Sequence, residues 1–363
     1  ADAYLLHVTT TPSVSYIARV DEFDCGIMIS ASHNPYYDNG IKLINSDGEK
    51  MSQDVIDQIE KYLDGEIEIP FALKDNIGKT VDYVNGRNRY MGYLIGLAEY
   101  SFKGFEVGID AANGSAWALA KAVFDALGAH TYVIHAEPNG LNINEDSGST
   151  HMEALQKLVV DKGLDIGLAF DGDADRCLAV DEHGNILTGD HIIYMYAKYM
   201  KSKGTLKDNT VVATVMSNLG FFKALEAEGI DCVVTDVGDK NVYAAMVKDD
   251  YRLGGEQSGH IILSKFATTG DGLITAIKLM EVIIASKKSV GTLASGMKEY
   301  PQILINVKVA DKNAAMENEE VLAEVKKTEE LLAGDGRVLV RKSGTEPLVR
   351  VMVEAKDNVT CRE

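Results

Sequence analysis

The chain has 363 residues, 46% hydrophobic and 25% charged, the make-up of a folded protein with room for two to four domains. Its 36 basic and 55 acidic residues leave a formal charge of −19, which argues against a nucleic-acid partner, and no apolar run approaches a membrane span. Cys25, Cys177, Cys232 and Cys361 form no CxxC pair, and Ala1 to Leu6 lacks a basic n-region, so a cytoplasmic chain without a zinc site or disulfide framework is expected.

Residues 7–20 read as a strand end, a Thr-Pro turn and a short helix, so the chain starts inside an α/β unit with no preceding strand. The apolar run Ile27 to Ile29 reads as a short buried strand, and it stops in the turn-forming Ser30-Ala-Ser-His-Asn-Pro35. Pro35 biases Asn34 away from helix, which predicts a fixed loop beyond the strand, where open α/β sheets bind ligands. Ser32 is a candidate nucleophile there, with Lys42 ten residues on; an Asn-Pro turn with incidental polar residues is the plainer reading. A strand follows at 40–43, then a helix at 52–63 capped by Ser52, an acidic irregular stretch at 64–80 and a helix around 82–99.

A second unit covers 105–190. Strand 107–110, the tight loop 111–115, helix 116–127, strand 132–135, helix 151–162 and the apolar strand 166–170 lead into Asp171-Gly-Asp-Ala-Asp-Arg176. Strand 177–180 and a turn at 182–185 close it as a hairpin. Residues 191–295 repeat the plan, with helix 191–201, strand 210–215, helix 221–228, strand 231–235 and helix 272–286 separated by glycine-bearing loops. From Tyr300 the texture changes to a small α+β domain: strand 303–309, a charged helix at 313–333, and two strands flanking Arg341-Lys-Ser-Gly-Thr-Glu-Pro347.

Four loops carry chemistry. Asp171, Asp173 and Asp175 alternate with small residues, so their carboxylates can converge on one hard cation such as Mg²⁺. Glu182 falls at the twelfth position of a calcium-loop register, but Arg176 stands where that loop needs glycine and the flanks read as strands. Arg341, Lys342, Ser343, Thr345 and Arg350 gather donors suited to phosphate around one glycine turn, although a basic hairpin would look similar. Glu256, Ser258 and His260 lie in a glycine-rich loop able to hydrogen-bond sugar hydroxyls or an amine, or to act only as a turn. A serine, a metal triad, a polar recognition loop and a phosphate clamp together describe phosphoryl transfer to or from a sugar.

In that order, Ser30-Ala-Ser-His-Asn-Pro35, Asp171-Gly-Asp-Ala-Asp-Arg176, Gly255-Glu-Gln-Ser-Gly-His260 and Arg341-Lys-Ser-Gly-Thr-Glu-Pro347 resemble the α-D-phosphohexomutase family. The third and fourth loops favour its glucosamine branch over its phosphomannomutase/phosphoglucomutase branch. The resemblance implies an α/β protein of three related mixed-sheet domains, 1–85, 86–190 and 191–298, with a smaller α+β domain, 299–363, around a central cleft. It implies Ser32 as the phosphorylated residue, completing a Mg²⁺ shell with Asp171, Asp173 and Asp175. His33, Lys42 and Arg176 would serve catalysis around the transferring group. Glu256, Ser258, His260, Arg341, Ser343, Gly344, Thr345 and Arg350 would hold the substrate. The implied reaction interconverts glucosamine 6-phosphate and glucosamine 1-phosphate through a hexose bisphosphate, toward cell-wall precursors, in a monomer or homodimer. The family pattern also includes an earlier strand with a Gly-Arg-Asp-type segment and a longer C-terminal helix, so a chain shortened at both ends is expected. Alternatives are a phosphomannomutase/phosphoglucomutase and a catalytically impaired sugar-phosphate-binding relative.

Overall fold

A computed structural model of the protein describes residues 1–342 and 347–362. The backbone divides into two compact units, residues 1–216 with 230–295, and residues 217–229 with those from 296 onward.

Two sheets of the first unit share one plan. His130–Ile134, Glu106–Asp110 and Ile166–Phe170 lie side by side in parallel, and Cys177–Val180 and Ile186–Leu187 extend the sheet antiparallel. Asp231–Thr235, Thr210–Thr214 and Leu253–Gly255 repeat the parallel order, with Ile261–Leu263 added antiparallel. The repeat expected from the recurring glycine loops is thus also a repeat of strand order. Ile166–Phe170 and Thr210–Thr214 are buried at every position, which is why they read as apolar runs and not as alternating strands. Helix Gly272–Ser286 is buried along its first twelve residues, which accounts for its lack of a polar face.

The first segment departs from expectation in two ways. A strand, Ala3–Leu5, does precede the helix Thr11–Val20, and it pairs in parallel with Thr80–Asp82, a strand between the stretch read as irregular and the helix expected around 82–99. The run Ile27 to Ile29 is a strand, Cys25–Ser30, but not a buried one: Ile27 is 61% and Ile29 68% exposed. Among the described residues Cys25–Ser30 pairs only with Gly40–Asn45, antiparallel. Side chains alternate between faces along a strand, so Met28 turns toward the cluster of Val14, Ala18 and Ile44, while Ile27, Ile29 and Ile41 share the uncovered face.

The second unit is a three-stranded antiparallel sheet, ordered Gln302–Lys308, Leu348–Ala355, Gly336–Lys342. Its pivot is Glu354, fully buried, which accepts from Asn218 Nδ2 at 3.1 Å, Leu219 N at 3.0 Å and Arg337 Nε at 2.6 Å. The helix expected over 313–333 is two, Lys312–Glu317 and Glu319–Leu332. Asn318 breaks it: its backbone is extended and its side chain caps the second helix by accepting from Glu320 N and Val321 N. Among the described residues no helix is long and apolar enough to cross a membrane, and all four cysteines are unpaired.

Candidate active site

Ser32 lies two residues beyond the end of Cys25–Ser30, at φ 53°, a left-handed conformation uncommon for a residue with a side chain. Several bonds impose it. Ser30 Oγ accepts from Ser32 N at 2.8 Å, and Gly172 N donates to Ser32 O at 3.1 Å. The buried Asn144 spans the loop, its Nδ2 donating to Ser32 O at 2.8 Å and to Asn34 O at 2.7 Å. Only a glycine fits at 172, because a Cβ there would stand 2.5 Å from Ser32 O. The result places Ser32 Oγ 3.5 Å from Asp171 Oδ2. The turn after strand Ile166–Phe170 thereby aims the hydroxyl at the carboxylates.

Asp171, Asp173 and Asp175 are all buried, and each offers an oxygen within 4.8 Å of the others. Two helix N-termini hold this turn from either side: Thr11 N bonds Asp173 O at 3.0 Å and Gly272 N bonds Ala174 O at 3.0 Å. Lys42, on the strand Gly40–Asn45, reaches Asp173 Oδ2 at 2.5 Å and Asp175 Oδ2 at 2.8 Å. Arg176 N donates to Asp171 Oδ1 at 3.1 Å, and its Nε lies 4.0 Å from Asp171 Oδ2 and from Asp175 Oδ1. Burial, then Asp175 and Asp173, push the Asp171 carboxyl well above the usual range. Burial works the same way on Asp175, but His260 and Lys42 outweigh it and hold that carboxyl well below the usual range. An all-oxygen set of this kind suits a hard divalent cation, and Asp173 Oδ1 and Asp175 Oδ1, both buried without a hydrogen-bond donor among the described residues, are atoms that a cation would satisfy. Glu182 takes no part, since its Oε2 accepts from Gly291 N at 3.0 Å, so no calcium loop forms.

His33 is exposed at the loop's outer edge; partial burial and the Arg176 charge keep its pKa below the ordinary 6.5. Glu256 accepts from Gly238 N at 3.0 Å, and Ser258 Oγ has no hydrogen-bond partner among the described residues. His260 is 4% exposed and stands behind the triad, its Nδ1 3.5 Å from Asp175 Oδ1 and its Nε2 3.5 Å from Asp239 Oδ2. Gly270 N bonds its Nε2 at 3.1 Å, and a Cβ on Gly270 would meet the ring at 2.6 Å. Burial alone would lower the His260 pKa, but Asp175 and Asp239 raise it. In the second unit Arg341 and Arg350 are direct cross-strand partners, and burial and the Arg350 charge lower the Arg341 pKa. Two like charges opposite each other destabilise a strand pair unless an anion lies against them. Ser343, Gly344 and Thr345 lie outside the described residues.

Three contributors carry no signal in a single motif. Thr11 Oγ1 donates to Asp173 Oδ2 at 2.5 Å, Asn144 clamps the Ser32 loop, and Asp239 backs His260. The Thr-Pro helix start and the Gly238-Asp-Lys240 loop are visible in the sequence, but nothing local ties either to the carboxylates.

A hydroxyl held against a buried carboxylate triad with two cations, on repeated α/β sheets, defines an enzyme of phosphoryl transfer. Four family profiles match in succession: "Phosphoglucomutase/phosphomannomutase, alpha/beta/alpha domain I" over 1–69, domain II over 88–184, domain III over 188–300 and "C-terminal domain" over 304–363. The chain belongs to the phosphoglucomutase/phosphomannomutase family. It is 64% identical to the phosphoglucosamine mutase of Lachnospira eligens over 364 residues, covering all of this chain and 81% of the relative. It is 50% identical to that of Bacillus subtilis over the same length, again covering 81% of it. Among solved structures, a phosphoglucomutase/phosphomannomutase family protein from Burkholderia thailandensis aligns at TM-score 0.79 and 22% identity, over all of this chain and 80% of that one. An N-acetylphosphoglucosamine mutase of Aspergillus fumigatus, solved with GlcNAc-6P and magnesium, aligns at 0.70 and 19% identity, over 98% and 91%. These likenesses bear out the expected family and its α/β domain architecture.

Proposed function

We propose that the protein interconverts glucosamine 6-phosphate and glucosamine 1-phosphate. The observation that carries the reading is Ser32 Oγ, 3.5 Å from Asp171 in a buried triad compensated by Lys42 and Arg176. Similarity to phosphoglucosamine mutases at 50% and 64% identity, over all of this chain and 81% of each relative, supports the choice of sugar.

In the first half-reaction phospho-Ser32 gives its phosphoryl group to the C1 hydroxyl of glucosamine 6-phosphate. The Ser32 Oγ–P bond breaks, the sugar O1–P bond forms, and the hydroxyl proton leaves. His33, whose pKa lies below the ordinary 6.5, is the proton acceptor we assign, and the proton passes on to Ser32 Oγ as that oxygen leaves. The bisphosphate turns around, its 6-phosphoryl group returns to Ser32 Oγ, O6 takes back the proton, and glucosamine 1-phosphate departs. Asp171, Asp173, Asp175 and the Ser32 oxygen would hold a Mg²⁺, which would supply charge neutralisation on the transferring group. Arg176 lies beside the same carboxylates and offers its guanidinium to the migrating phosphoryl oxygens. Glu256 and Ser258 grip the sugar, His260 positions Asp175, and Arg341 and Arg350, with Ser343, Gly344 and Thr345, hold the phosphate that is not reacting. Positioning supplies most of the remaining rate, since phosphoryl transfer asks little covalent work of the protein. The domains we assign, 1–85, 86–190, 191–298 and 299–363, place one of the four motifs in each.

Intact mass tests the reading. Loading with glucose 1,6-bisphosphate and Mg²⁺ adds one phosphate to the wild-type chain, and glucosamine 6-phosphate discharges it faster than mannose or glucose phosphates do. Ser32→Ala takes up no phosphate and turns nothing over; wild-type activity in that variant would refute the nucleophile. Faster discharge by mannose or glucose phosphates would move the protein to the phosphomannomutase/phosphoglucomutase branch.

A further inference from the structure

We propose that Lys42 is an internal counter-ion of the carboxylate triad, and that its ammonium and the divalent cation compete for those carboxylates. The inference rests on the cation assignment above and adds a coupling to it: loading the cation frees the amine.

The geometry supports the competition. Lys42 Nζ sits 2.5 Å from Asp173 Oδ2 and 2.8 Å from Asp175 Oδ2, bridging two of the three carboxylates that would receive the cation. The Asp173 and Asp175 side chains are 0% and 8% exposed, so little water screens a second positive charge brought among them. Asp173 Oδ2 is already shared with Thr11 Oγ1, and Asp171 Oδ1 with Arg176 N, so the turn has no slack to part the carboxylates. The ammonium can yield where the aspartates cannot. Its side chain is 26% exposed and hangs on a flexible four-carbon stem from a strand whose backbone is fixed by pairing with Cys25–Ser30. It also stays near the reacting loop, since its strand pairs with the strand that leads into Ser32. Without the cation, Lys42 neutralises the carboxylates and is not available to a phosphate. With the cation in place, the displaced ammonium becomes a phosphate ligand beside Ser32. The two charges therefore act in sequence, and the lysine's availability reports whether the cation is present.

Mn²⁺ serves as a countable probe, read by electron paramagnetic resonance of the free ion at fixed ionic strength. Lys42→Met is expected to bind one Mn²⁺ at least about tenfold more tightly than wild type, because the competitor is gone. Equal or weaker binding by the variant overturns the proposal. A measurement on the wild-type chain makes the test independent of how the variant folds: acylation of Lys42 by an amine-reactive reagent, followed by peptide mass spectrometry, is expected to accelerate several-fold when Mg²⁺ is added. An unchanged rate overturns the proposal. Absence of Mn²⁺ binding to either chain would overturn the cation assignment itself, which separates the two failures.

Discussion

Gly172 and Asn144 decide where Ser32 stands, and neither touches the reacting group. A methyl group on residue 172 would lie 2.5 Å from Ser32 O and 2.9 Å from Asn144 Nδ2, both parts of the clamp on the loop. Gly172→Ala is therefore expected to destabilise the protein by about 1–3 kcal/mol and to slow phosphate loading of Ser32 more than tenfold; thermal unfolding and timed intact mass check the two effects. At this scale the sequence shows what is local. Ser32 and the three aspartates lie in short runs whose residue types announce their chemistry, and the structure brings those runs together. The Ser32–Asn144 and Thr11–Asp173 contacts join positions 112 and 162 residues apart, so no single stretch could have paired them. His260 reads in the sequence as a sugar ligand because it follows Glu256 and Ser258; in the structure it is buried, with its Nδ1 3.5 Å from Asp175 Oδ1.

Elements were legible where burial is complete. Ile166–Phe170, Cys177–Val180 and Gly272–Ser286, the last buried over its first twelve residues, begin and end where apolar runs and turn residues place them. The strand Cys25–Ser30 shows the limit: a run such as Ile27 to Ile29 marks extended backbone, but which face is covered depends on what packs there. Helix Gly189–Ser202 shows how a terminus can carry pH dependence. His191, in its first turn, accepts from Thr188 N at 3.2 Å and is buried, which drops its pKa from 6.5 to about 4. A histidine depressed in this way favours the fold above its unfolded pKa, and the contribution is lost as pH falls from 6.5 toward 4. The loss amounts to at most about 3 kcal/mol, from a shift of some two and a half units. Unfolding temperature is expected to fall across that window, and His191→Gln, which keeps a cap without a titrating ring, to flatten that part of the profile.

For the whole molecule, the recurrence of glycine loops forecast a recurrence of strand order, because both follow from copying one strand–loop–helix unit. What the recurrence could not show is how much of the first segment depends on the second and third. Residues 64–79 are exposed throughout, with Phe71 84% and Leu73 70% accessible, and carry only a short turn at Lys74–Asn76 between the helix Gln53–Leu63 and the strand Thr80–Asp82. Limited trypsin digestion is expected to cut first at Lys74 or Lys79, leaving fragments that co-elute on gel filtration, since Thr11, Lys42 and Asn144 bridge the cut. Fragments that separate would show that these bridges do not bind the segments. The Asn144 clamp also bears on how such a protein can be inherited. The serine's working shape is stored in a different segment from the serine, so a transplanted or duplicated copy of residues 1–69 would carry the nucleophile without its posture. The two segments can diverge only in step, and the heritable unit of this active site is the pair.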